Sequence, residues 1–156
     1  MSPPSYAVRV AEDLADREAC FVVRKEVFVV EQGVPQDLEH DAYDADAVHV
    51  VAVREDGLPF GAGRLLYGEV AAAKTGGEPG VGSLGRLAVL KAARGLGVGV
   101  ALVRGIEDAA RARGLTAVDL HAQTHALGFY ERLGYVAYGP EFLDAGIAHL
   151  AMRRGL

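Results

Sequence analysis

The chain has a single cysteine, Cys20, so no internal disulfide can form and a reducing, cytoplasmic setting is expected. It has no basic surplus either. Sixteen Lys and Arg stand against 21 Asp and Glu, a net charge of −5, which counts against a nucleic-acid partner. No apolar run approaches the ~18 residues of a membrane span, so no membrane partner is expected. The opening Met1-Ser-Pro-Pro-Ser5 lacks a basic stretch followed by an apolar one, so secretion is not expected. The histidines are too scattered to suggest a zinc site, and no metal is expected. No G-x-x-x-x-G-K-[ST] occurs, which excludes a P-loop. Internal repeats and dividing linkers are absent too.

What remains is 51% hydrophobic and 24% charged, the composition of a globular chain. The length suits one domain with one core. We expect a flexible tail over 1–5 and a single domain over 6–156. Alternation of Tyr6, Val8 and Val10 predicts a first strand. Cys20, Val23, Val27 and Val30 fall at helical spacing and predict a helix over 13–30, with Cys20 a small buried hydrophobe. Strands are predicted over 48–54 and 60–67, joined by Glu55-Asp56-Gly57. Residues 68–82, rich in glycine and alanine, read as a loop. Further strands are predicted over 84–90, 116–122, 135–138 and 147–152. Helices are predicted over 98–113 and 126–133. The first of these carries the i,i+4 pairs Arg104/Asp108 and Glu107/Arg111 and ends at Gly114.

The twenty glycines matter by position. Gly80-Val-Gly-Ser-Leu-Gly85 matches the dinucleotide pattern G-x-G-x-x-G, but a loop precedes it and a strand follows, the reverse of what that site requires. Arg94-Gly-Leu-Gly-Val-Gly99 lies where a strand gives way to an amphipathic helix. There, backbone N–H groups, the helix dipole and Arg94 can converge on an anion such as a pyrophosphate.

This segment fits [Q/R]-x-x-G-x-[G/A], and the chain resembles the GNAT acyltransferases. The resemblance extends to Ala126-Leu-Gly-Phe-Tyr-Glu-Arg-Leu-Gly-Tyr135, which is similar to the family's A-x-x-[FL]-Y-E-x-x-G-[FY] helix. The front half, with Arg24-x-x-Val-Phe-Val-x-Glu-Gln32 and Glu39-x-Asp41-x-x-Asp44, resembles the ElaA-like branch, as does the tail Gly146-Ile-Ala-His149 with Met152. Gln123 stands where many relatives carry Asn, keeping an amide with a different reach.

The resemblance implies an α/β (α+β type) fold, a mixed and centrally splayed sheet flanked by helices. It implies acetyl transfer from acetyl-CoA, the cosubstrate, to a primary amine on a small molecule or peptide, by direct attack in a ternary complex. An acyl-CoA-binding sensor without activity is the alternative. A homodimer is compatible with the family. The implied cofactor-binding residues are Leu87, Ala88 and Val89, through strand-like pairing, with Arg94, Gly95, Leu96, Gly97, Val98, Gly99 and Gln123. An N–H near Val89 would polarise the thioester oxygen, worth roughly 3–4 kcal/mol. Tyr130 is the implied catalytic partner of the cofactor sulfur.

Deprotonating an alkylamine of pKa ~10.4 at pH 7 costs about 4.6 kcal/mol, so a proton acceptor is required. Glu31 is the first candidate. Asp41, Asp44, a histidine or a water chain are alternatives, with Asp41, Asp44 and His149 expected at the acceptor site. His49, His121 and His125 are weaker site candidates. The acidic run over 31–46, without Lys or Arg, predicts a cationic acceptor over a sugar phosphate, with an anion held by Arg24 or Arg64 as the alternative.

Overall fold

The computed structural model describes residues 5–156. The tail predicted over 1–5 therefore lies, apart from Ser5, outside the described residues. The strands are β1 (Tyr6–Val10), β2 (Val48–Arg54), β3 (Pro59–Leu66), β4 (Val81–Val89), β5 (Ala117–Gln123), β6 (Val136–Asp144) and β7 (Ile147–Gly155). The helices are α1 (Leu14–Arg24), α2 (Gln36–Glu39), α3 (Ala72–Thr75), α4 (Val98–Ala112) and α5 (Leu127–Arg132). The strands form one seven-stranded sheet in the order β1-β2-β3-β4-β5-β7-β6. β4 and β5 run parallel, and every other neighbouring pair is antiparallel.

β2 reads as a nearly continuous apolar run because both faces are covered. Val48, Val50 and Ala52 pack toward α4, while Val51 and Val53 pack toward α1. α4 lies close on β3 because Gly61 and Gly63 leave room for it. A Cβ at Gly61 would stand 2.8 Å from Leu102 Cδ1, and one at Gly63 only 2.6 Å from Ile106 Cδ1. Glu107, fully buried on the same helix, receives hydrogen bonds from Arg104 and the Tyr135 hydroxyl and pairs with Arg154 at 2.9 Å. These contacts tie α4 to β7 and to the residue just before β6.

Three departures from the sequence reading have local causes. The helix expected over 13–30 starts as α1, capped by Asp13, whose carboxylate accepts from the Asp16 N–H at 2.8 Å. It then widens into a π-helical stretch over Lys25–Glu31. The supposed loop over 68–82 holds helical turns at Gly68–Ala71 and Ala72–Thr75, and β4 begins at Val81. Gly82 belongs to that strand, since a Cβ there would press on Leu115 and Leu65 at 2.8 and 2.9 Å. β6 runs on past Tyr138 to Asp144, because it is an edge strand that absorbs Gly139 and Pro140 in an irregularity before Phe142.

Candidate active site

The parallel pairing of β4 with β5 covers only Val81↔Ala117 to Leu84↔Leu120. Beyond Leu84 and Leu120 the two strands separate, and a cavity of ≈ 740 Å³ opens between them. A β-bulge lies at the start of the gap. Arg64 faces Gly85 and Ala62 faces Ala88, so Gly63 stands against both Arg86 and Leu87. Arg86 has the left-handed φ of 52°. Its side chain is held there by the carbonyls of Glu39 and Leu38, at 3.2 Å each, and by Asp41 at 3.0 Å.

The ladder also decides which backbone groups face the gap. The Leu90 N–H donates to Phe60 O at 2.9 Å. Alternation along an antiparallel pair then turns the Ala88 backbone toward β3 and that of Val89 toward the gap. Leu87 and Val89 line the cavity and Ala88 does not, because its side chain is buried against α1 and its backbone is spent on β3. The expectation that Ala88 offers free backbone groups is thereby corrected.

A second depression of ≈ 220 Å³ adjoins the cavity at the turn into α4, lined by Val89, Arg94, Gly95, Gly97, Val98 and Gly99. Gly95 and Gly97 take φ of 85° and 79°, and Gly97 is the N-cap of α4. No atom lies within 4 Å of a Cβ at Gly95, and one at Gly97 would meet only the Tyr6 hydroxyl at 3.7 Å. The loop therefore leaves an open cradle above the first N–H groups of a 15-residue helix. Leu96 does not share in it. Its carbonyl accepts from the Tyr6 hydroxyl at 3.1 Å, and its side chain packs against the core.

Tyr130, on α5, lines the cavity with 8% of its surface exposed. Its hydroxyl has no hydrogen-bond partner among the described residues, and burial pushes its pKa well above the ordinary phenol range. At neutral pH it is a proton donor with nothing of the protein to donate to. Gln123 also lines the cavity. Its Nε2 donates to Gln32 Oε1 at 3.0 Å, and its Oε1 accepts from His125 Nε2 at 2.6 Å, a chain from β5 to the end of the π-helical stretch.

On the acceptor side the structure divides the predicted residues. Glu31 does not line the cavity. It accepts from Arg94 Nη2 at 2.8 Å, while Arg94 Nε donates to Val89 O at 3.1 Å. Glu31 is thus corrected from a base facing the acceptor to a partner of the loop arginine. Asp44 is corrected as well. It is buried outside the cavity, with Arg24 Nη1 at 2.7 Å and Arg64 Nη1 at 3.0 Å. Burial alone would raise its pKa, but the two guanidiniums outweigh that and hold it well below the usual carboxylate range. Asp41 does line the cavity, tied to Arg64 at 2.8 Å and Arg86 at 3.0 Å.

His149 lines the cavity too. Its Nδ1 lies 2.7 Å from Ile147 O. A carbonyl only accepts, so Nδ1 carries the proton and Nε2 is the basic nitrogen of the neutral ring. Phe142 stacks on His149 and meets His121 edge-on, and burial lowers the His121 pKa. His49 is structural, with Nε2 2.9 Å from Asp44 O.

Sequence reasoning gave no role to Arg86, Lys74 or Asp144, all of which line the cavity. Arg86 reads as an ordinary strand residue, and no local pattern marks a bulge at a non-glycine position. Among the described residues, no group of three or more His, Cys, Asp or Glu is arranged to hold a metal ion, and no helix is long and apolar enough to cross a membrane.

A sheet parted between two parallel strands, with a glycine cradle and an unpartnered tyrosine hydroxyl on one cleft, is the arrangement of an acyltransferase built on the GNAT fold. The chain belongs to the GNAT acetyltransferase family: the family model described as the acetyltransferase (GNAT) domain matches residues 10–156. The chain is 39% identical over 146 residues to the uncharacterized N-acetyltransferase YjcF of Bacillus subtilis (strain 168), covering 93% of this chain and 96% of that one. It is 31% identical over 138 residues to ElaA of Escherichia coli (strain K12), covering 87% and 85%. Among solved structures, an acyl-CoA N-acyltransferase from Pseudomonas aeruginosa superposes with a TM-score of 0.78 at 33% identity, over 97% of this chain and 99% of that one. The crystal structure of E. coli ElaA shares the fold with a TM-score of 0.78 at 23% identity, over 97% and 99%.

Proposed function

We propose that the protein transfers the acetyl group of acetyl-CoA to a primary amine by direct attack in a ternary complex. The observation that carries this reading is the convergence, on the gap between β4 and β5, of the Val89 backbone edge, the glycine cradle and the unpartnered Tyr130 hydroxyl. The cradle suits a pyrophosphate, because its N–H groups sit at a helix N-terminus and no side chain fills it. Gly95, Gly97, Val98 and Gly99 hold the pyrophosphate, with Arg94 adding charge. Leu87, Val89 and Gln123 receive the pantetheine arm.

The Val89 N–H donates to the thioester oxygen, where charge grows during attack. Tyr130 donates to the departing sulfur. A phenol at pKa ~10 already transfers its proton to a thiolate of ~8.5 uphill by about 2 kcal/mol. The raised pKa of Tyr130 steepens that step, so Tyr130 acts as a hydrogen-bond donor and keeps its proton until the amine's own proton is lost. His149 Nε2 accepts the amine proton, the role first expected of Glu31, because its ring lines the cavity and its tautomer is fixed by Ile147. A cytoplasmic setting fits this cofactor.

The test pairs binding with turnover. Acetyl-CoA raises the melting temperature as RT ln(1 + [L]/Kd), and a panel of primary amines gives CoA release. Tyr130→Phe lowers kcat roughly 10²-fold or more while leaving acetyl-CoA affinity unchanged. Binding without CoA release across the panel, or an undiminished kcat where chemistry limits, overturns the assignment.

A further inference from the structure

The acceptor half of the cavity lies on the face of the sheet covered by α1 and α2. Asp41, Arg64, Lys74, Arg86, Asp144 and His149 bring charge or titratable nitrogen to it. Glu39 and Asp41 line it, and Asp44 stands behind them, and every oxygen of these three carboxylates already accepts from an arginine. Both Glu39 oxygens accept from Arg24, and Glu39 also pairs with Arg86. Asp41 accepts from Arg64, Arg86 and the Tyr43 N–H. Asp44 accepts from Arg24, Arg64 and the Asp41 N–H.

The cations are not exhausted in the same way. Arg64 is 2% exposed and directs only Nη1 to carboxylates, so its Nε and Nη2 have no partner among the described residues. Nη2 lies against Gly85, where β4 and β5 part: a Cβ there would be 3.9 Å from it. Arg86 makes no hydrogen bond through Nη1. Lys74 has no carboxylate partner among the described residues. Its Nζ sits 5.5 Å from the centre of the Tyr43 ring, and the Arg64 guanidinium lies 5.9 Å from the same ring. Spare donors on buried or half-buried cations thus line the same cavity. Asp144, which has no ion pair among the described residues, and His149 are the groups free to take a proton or an ammonium.

We propose that the acceptor is an amine carrying an anionic group, a carboxylate or a phosphate, which is held by Arg64, Arg86 and Lys74 while its amine lies toward His149 and Asp144. This rests on the transferase reading above and reverses the cationic acceptor expected from the acidic run. The sign of residues 31–46 does not reach the cavity as negative charge, because arginines from outside the run neutralise it. An anion entering here pairs with Arg64 Nη2, Arg86 Nη1 and Lys74 Nζ, which no carboxylate occupies, whereas a second ammonium meets three cations.

The experiment compares amines of one chain length that end in an alcohol, a carboxylate, a phosphate or a second amine, by kcat/KM for CoA release. At least one anionic member exceeds the alcohol tenfold or more, and the better of the two identifies the source of the anion. Lys74→Met cuts that ratio several-fold, and Lys74→Arg restores most of it. A second readout needs no turnover: inorganic phosphate raises the melting temperature of the CoA-bound protein, and Lys74→Met diminishes the shift. CoA release from all amines with no anionic preference overturns this inference and leaves the transferase standing. No CoA release with any amine removes the transferase reading, and the phosphate titration then decides the anion site alone: no shift overturns it. A diamine preferred over both anions also overturns it.

Discussion

The face of the sheet under α4 and the face under α1 meet at the same cleft but are assembled differently. Under α4, twenty buried apolar side chains, from Val48 to Met152, form one cluster among the described residues. Under α1 only eight do so, and the site is organised by Arg24, Arg64 and Arg86 with Glu39, Asp41 and Asp44. The difference matches what each half would hold. A constant cofactor needs a rigid floor and a backbone cradle, and packing with glycine provides both. Recognising a particular acceptor needs charges in fixed places, and buried ion pairs fix them at the cost of desolvation.

Each face can be disrupted without the other. Gly97→Val forces a β-branched residue to φ near 79° and should abolish the melting shift given by acetyl-CoA, while the apo protein loses only the ~1–2 kcal/mol of a left-handed side chain. Equal shifts in both proteins would remove the cradle from residues 94–99. Arg24→Met is the opposite lesion, since it leaves Glu39 and Asp44 buried with fewer partners. A loss of about 3–5 kcal/mol is expected, or roughly 6–20 °C in melting temperature, with the acetyl-CoA shift preserved in the folded protein. Thermal melts with and without acetyl-CoA read both.

Acid sharpens the contrast. Asp44 has a lowered folded-state pKa, so its contribution is present above the ordinary carboxylate value of ~3.9 and is lost as pH falls below it toward the folded value. Urea titrations from pH 6 downward should show stability falling below about pH 4. Asp44→Asn should start lower and fall less steeply, and parallel slopes would refute the assignment. The smallest effect is expected at Glu31. Its half-exposed pair with Arg94 is worth at most ~1 kcal/mol, so Glu31→Gln should change acetyl-CoA affinity by about fivefold or less and leave kcat intact. A large fall in kcat would restore Glu31 as the base.

The two faces also differ in how far they could be read from the chain. The cofactor side is local. Residues 94–99 and 126–135 each carry their pattern within ten positions, and the strands and helix around them follow from alternation and helical spacing. The acceptor side is not. Arg24 reaches Glu39 and Asp44 across turns, Arg64 reaches back to Asp41, and Arg86 reaches Asp41 from another strand. A run of acids says nothing about which arginines will fold against it, so its net charge does not carry over to the cavity, where Arg64, Lys74 and Arg86 stand beside Glu39 and Asp41. The pairing of Glu31 was hidden for the same reason, because its partner Arg94 is 63 residues away.

The π-helical stretch at Lys25–Glu31 has a consequence for sequence length. A π turn holds an extra residue compared with the α turn that would fill the same span, so this segment behaves as an insertion that the fold has absorbed. Deleting one residue between 25 and 31 lets the segment relax to ordinary helix, and β2 onward need not move. Side chains beyond the deletion would keep nearly their present bearing, because the extra residue is what the wider turn had absorbed, and only those inside the stretch would be re-aimed. Gln32 would stay on Gln123, whereas Phe28, which lies inside the stretch and lines the cavity, would be re-aimed. A chain one residue shorter here would keep the sheet, the glycine cradle and the Gln32–Gln123 contact, and differ only in the part of the cavity wall that the stretch itself presents.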